Sequence, residues 1–84
     1  MAPEPRRFSG ADVIKALGRV GFDVVAIRGN HAKLRRIAPD RQRQALMVPL
    51  HRELAMGTVL ASYRQALKLV PESELTSAFF PPAH

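Results

Sequence analysis

The chain has 84 residues, 46% hydrophobic and 24% charged, which is too apolar for a disordered segment and too short to divide into two cores. It has no cysteine, so neither a disulfide nor a cysteine-ligated zinc can brace the fold, and a cytoplasmic protein is the natural expectation. Its 13 Lys and Arg against 7 Asp and Glu leave a net charge of +6, which favours polyanionic partners, nucleic acid first among them.

Met1 to Phe8 is rich in proline and arginine and is expected to fray. It lacks the apolar stretch of a signal peptide, and no run in the chain is long enough to span a bilayer, so no membrane partner is expected. Ser9 then reads as a helix N-cap, with Asp12 as a weak capping-box partner three positions on. Val13, Ile14, Leu17 and Val20 follow one apolar helix stripe, while Lys15 and Arg19 fall on the wet side. Gly21 supplies a left-handed terminator, so the spacing predicts a helix over residues 9–20.

"FDVVAIR", Phe22 to Arg28, is rich in β-branched and aromatic residues and predicts a strand. Gly29-Asn30 suits a tight hairpin turn. A second strand, His31 to Ile37, alternates: Ala32 and Leu34 point one way, His31, Lys33 and Arg35 the other. Pro39-Asp40 marks a turn, and "RQALMVP" reads as a third strand closed by Pro49. Leu50 to Met56 is expected as a loop. Gly57-Thr58 then opens a helix whose stripe is Val59, Leu60, Tyr63, Ala66, Leu67 and Val70, and Pro71 stops it. The remainder, "ESELTSAFFPPAH", is either a short helical turn that packs back or a segment that binds a partner.

This order predicts an α+β domain, α-β-β-β-α, over residues 9–70, with tails at 1–8 and 71–84. A three-stranded antiparallel sheet with both helices on one face is the economical way to bury two helix stripes and one sheet face.

The alternation also gathers the chemistry. His31 shares its face with Lys33 and Arg35, and Arg28 enters from the neighbouring strand across the turn. Arg28, Lys33, Arg35, Arg36, Arg41 and Arg43 fall between positions 28 and 43 beside a single acid, Asp40. The plain alternative is a solvated face with a surface histidine, the commoner fate of such residues. The functional alternative is proton transfer at a phosphate. Imidazole titrates near pH ~6.5 in water, and RNA brings its own nucleophile, the 2′-hydroxyl. A cleaving protein then needs only a proton acceptor, a proton donor and positive charge. His51, after Pro49, is either a second proton-transfer group or loop, and His84 ends the chain. Histidines at 31, 51 and 84 have no ligand spacing, so neither a metal nor another cofactor is expected. Ser9, Ser62, Ser73 and Ser77 read as cap, helix or tail residues rather than nucleophiles.

Five short signatures in order carry a resemblance: Ser9-Gly10 opening the first helix, Gly21-Phe22 closing it, "RGNH" at 28–31, "VPLH" at 48–51, and Gly57-Thr58-Val59 opening the second helix. Together they resemble the HicA family of toxin ribonucleases from bacterial toxin–antitoxin pairs, over about residues 9–70. The resemblance implies a fold like that of double-stranded-RNA-binding domains, cleavage of messenger RNA, and neutralisation by a cognate HicB-like antitoxin that covers the active surface; with no metal ligands expected, the reading is a metal-independent ribonuclease. It implies that His31 is catalytic, as general base or acid. Asn30 stands where the family usually has serine, so a role for a serine hydroxyl does not carry over, although a polar, turn-compatible side chain is kept. Gly29 and Asn30 are then expected to set the histidine's approach to the RNA backbone, with Arg28, Lys33 and Arg35 holding phosphates. Three rivals stand beside this reading: a non-catalytic RNA-binding module of the same fold, a catalytically dead interaction protein, and a DNA-binding regulator. The last is disfavoured because the basic cluster lies on strands and no helix-turn-helix pair is visible.

Overall fold

A computed structural model of the protein describes residues 8–80. The elements are α1 (Gly10–Gly18), β1 (Asp23–Arg28), β2 (His31–Ile37), β3 (Arg43–Pro49), α2 (Met56–Leu67) and α3 (Glu72–Phe79). The strands form one antiparallel sheet in the order β1-β2-β3. The expected α-β-β-β-α order is present, and a third helix follows it.

Local chemistry explains each boundary. Ser9 caps α1: its Oγ accepts from the Asp12 N–H at 3.0 Å, and the Asp12 carboxylate accepts from the Ser9 N–H at 2.9 Å. At the other end the helix stops at Gly18, short of the expected residue 20, because its last turn closes in a Schellman arrangement. The Gly21 N–H donates to the Gly18 carbonyl at 3.2 Å and the Phe22 N–H reaches the Leu17 carbonyl at 3.1 Å. Gly21 sits at φ +97°, the left-handed region where a Cβ is penalised, and Leu17 and Phe22 pack together in the core. Helix α2 begins at Met56, one residue before the expected Gly57. It has no side-chain cap, and the Ala55 carbonyl itself collects the Thr58 and Val59 N–H groups.

The core lies on one side of the sheet. Ala32 and Leu34 of β2 and Leu46 and Val48 of β3 are buried against Val13 and Leu17 of α1 and Val59 and Ala66 of α2. Helices α1 and α2 lie against β3, and α3 packs on both helices. Leu75 and Phe79 of α3 join this core, so the segment after Pro71 packs back. Tyr63 holds it in place: its ring meets Phe79 edge-on at 5.4 Å, and its hydroxyl lies 2.7 Å from the Thr76 hydroxyl. Phe8, the last residue of the stretch expected to fray, is half-buried against Phe79 and Phe80, and its carbonyl accepts from the Leu54 N–H at 2.7 Å. Residues 1–7 of that stretch, and 81–84, lie outside the described residues.

One close approach ties the helix layer to the end of β3. The Gly10 N–H donates to the His51 carbonyl at 2.8 Å, and a Cβ on Gly10 would collide with the Pro49 carbonyl oxygen and come within 2.9 Å of the Leu50 Cα. Gly18, by contrast, has open space around it. Overpacking against backbone costs ~1–3 kcal/mol or more, a large share of the ~3–5 kcal/mol that a domain of this size holds. Gly10→Ala is therefore expected to lower the urea midpoint steeply, whereas Gly18→Ala should raise it, by up to ~1 kcal/mol of helix propensity. Equal effects of the two substitutions would contradict the close approach.

Candidate nucleic-acid interface

Among the described residues, nothing covers the face of the sheet turned away from the helices. Cross-strand pairing arranges it in rows. Arg28 of β1, His31 of β2 and Pro49 of β3 stand in one row, and Ala26, Lys33 and Met47 in the next. Asp23, Arg35 and Ala45 form a third, and Ile37 and Arg43 a fourth at the far end. Directly opposed residues on one face have Cβ atoms ~4.5–5.5 Å apart, so Arg28 and His31 are neighbours across the hairpin.

The hairpin turn sets His31 at the start of β2. Gly29 takes φ +56°, as a tight turn requires of its first residue, while Asn30 does not have a positive φ. The Asn30 carbonyl accepts from the Leu50 N–H at 2.6 Å, which pins the turn to the chain leaving β3. Both turn residues are exposed and carry the histidine; neither lines the hollow beside it.

That hollow, about 340 Å³, is lined by Ala26, Arg28, His31, Lys33 and Met47. It brings together three residues expected from the sequence, an imidazole and two cations, with no carboxylate among the described residues that line it. Such a site can move a proton and hold a phosphate. Arg35 shares the face but lies a row further on, directly across from Asp23, so its charge is partly offset. His51 is elsewhere: it lines a different hollow with Ser9, Ala11, Leu50 and Arg52. Among the described residues, no three histidine, aspartate or glutamate side chains gather at metal-binding distance.

The rest of the basic cluster disperses. Arg36 points toward the helices, where its guanidinium donates to the Leu69 carbonyl at 3.4 Å. It lines a larger hollow, about 590 Å³, with Arg19, Val20, Ser73, Glu74, Ser77 and Ala78. That hollow is the poorer phosphate site of the two. Its two guanidiniums are committed to backbone carbonyls, Arg19 donating to Ala78 at 3.1 Å, and Glu74 lines it with the wrong sign for a phosphate. Arg41 occupies the β2–β3 turn at φ +70°. Met47 and Ala26 were not among the residues expected at the site. The signal for Met47 was present in β3, where Leu46 and Val48 must face the core and so turn Met47 outward with Lys33.

Among the described residues, no helix is long and apolar enough to cross a membrane. A family model described as HicA toxin of bacterial toxin-antitoxin matches residues 10–67. No curated protein and no solved structure matches the chain. The family match runs from the first residue of α1 to the last of α2 and encloses the whole hairpin and hollow: this chain belongs to the HicA toxin family of bacterial toxin–antitoxin systems.

Proposed function

We propose that the protein is a metal-independent endoribonuclease, the toxin of its pair, that cleaves messenger RNA in the cytoplasm and is held in check by a HicB-like antitoxin covering the bare sheet face. The observation that carries this reading is the exposed imidazole of His31 in one hollow with Arg28 and Lys33. Membership of the toxin family supports it.

The chemistry follows from the substrate. A 2′-hydroxyl attacks the adjacent phosphorus; the bond from phosphorus to the 5′-oxygen breaks, leaving a 2′,3′-cyclic phosphate and a 5′-hydroxyl. His31 serves as the general base on the 2′-hydroxyl or, in the reverse sense, as the acid at the departing oxygen, and solvent water makes the complementary proton transfer. Negative charge builds on the equatorial oxygens in between, and Arg28 and Lys33 are placed to offset it. Arg35 holds the neighbouring phosphate, and Gly29 and Asn30 let the RNA backbone approach the ring closely.

His31 is exposed and is not one of the buried core residues, so its replacement leaves the core side chains in place. His31→Ala should lower the rate of RNA cleavage by ~10²–10⁴-fold while RNA affinity stays within about twofold; cleavage at the unaltered rate removes the catalytic role. Lys33→Ala should weaken binding for all sequences and reduce the salt dependence of log K by about one. Cleavage should persist in excess chelator, and activity lost to chelation and restored by a divalent ion would overturn the metal-independent reading.

A further inference from the structure

We propose that Met47 and Ala26 form the seat for a single unpaired RNA base, so that the site beside His31 admits single-stranded RNA and refuses a duplex. This deepens, and rests on, the reading of the bare face as an RNA-cleaving surface.

Four observations lead to it. Met47 is 51% exposed, a large apolar side chain in the middle of a cationic face. Its row contains Lys33 and then Ala26, whose single methyl group leaves room at the β1 end. These residues line the 340 Å³ hollow with Arg28 and His31, so two apolar side chains, Met47 and Ala26, flank Lys33 and lie next to the Arg28–His31 row. The volume sits at the small end of the ~300–1,000 Å³ usual for ligand sites, a size that suits one nucleotide.

The chemistry selects the occupant. A cationic rim calls for a phosphate, and an apolar floor beside it calls for the face of a base. In a duplex those faces are hidden in the stack, and extruding one costs a few kcal/mol. In an unpaired strand they are free to lie on a side chain. The unbranched, polarisable thioether of methionine adapts to a flat ring, and the methylene stem of Lys33 borders it. Successive rows on one face are two residues apart, ~6.6–6.8 Å along the strand, a gap that a ribose bridges between its base and its 3′-phosphate. A base on the Met47 row therefore brings its own 2′-hydroxyl toward the His31 row.

The test uses the full chain carrying His31→Ala, so that binding is read without cleavage. Its affinity is measured for a short single-stranded RNA, the same strand with one abasic residue, and the same sequence as a duplex. The single strand should bind best. Adding Met47→Ala should weaken single-strand binding at least about fivefold, the lower end of a base-stacking contribution. It should also erase the difference between intact and abasic strands, and Met47→Phe should restore both. With His31 intact, Met47→Ala should raise KM more than it lowers kcat. Unchanged affinity in Met47→Ala, or duplex bound as tightly as single strand, overturns the base seat. The underlying reading fails separately, if His31→Ala cleaves as fast as the unaltered chain or if none of the three RNAs binds.

Discussion

Everything at the candidate site depends on the burial of Ala32 and Leu34. Side chains on a strand alternate faces, so placing these two against α1 and α2 forces His31, Lys33 and Arg35 to the opposite side. A slip of one residue would bury an imidazole and two cations and expose the core leucine, at a cost far beyond what so small a domain holds. The register is therefore steeply determined, and with it the position of the chemistry. The hydrophobic core and the cationic face are two consequences of one alternation.

A β-bulge carries the same logic into β1. Counting back from the turn, Arg28 faces His31, Ile27 faces Ala32 and Ala26 faces Lys33, but Val24, not Val25, faces Leu34. Residues three apart on a regular strand point to opposite faces; the extra residue at Val25 lets Val24 and Ile27 share the helix side. The helices nevertheless do not cover β1, and Val24 and Ile27 remain 42% and 61% exposed. The bulge thus reconciles an apolar inner face with the outward placement of Ala26 and Arg28, two walls of the hollow. Breaking the regular ladder also blunts an exposed edge strand that would otherwise invite pairing with other chains.

Much of this was legible in the residues because it is local. The capping box at Ser9 and Asp12, the left-handed Gly21, the Gly29-Asn30 turn and the strict alternation of β2 each arise from chemistry within a few positions. What escaped is long-range. Leu75, Ala78 and Phe79 have the spacing of a helix stripe, but their place in the core depends on Tyr63, which lies on α2 and meets Phe79 and Thr76 only after folding. The bulge at Val25 cannot be read from β1 alone, since it appears only in the pairing with β2. The basic cluster looked like one patch in sequence, yet strand parity sends Arg28, Lys33 and Arg35 outward and Arg36 back to the Leu69 carbonyl. His51 and His31 lie close to the ends of paired strands, but the chain turns away after Pro49 and leads His51 to a separate hollow.

The proposed function requires that the bare sheet face, and not the helix side, meets RNA. Titrating the isotopically labelled His31→Ala protein with a short single-stranded RNA, while following backbone and methyl resonances, tests it most directly. Shifts should concentrate at Arg28, Lys33, Arg35 and the Met47 methyl group, with Arg19, Ser73 and Ser77 unmoved. Shifts concentrated around Arg19 and Arg36, with the Met47 methyl silent, would contradict it.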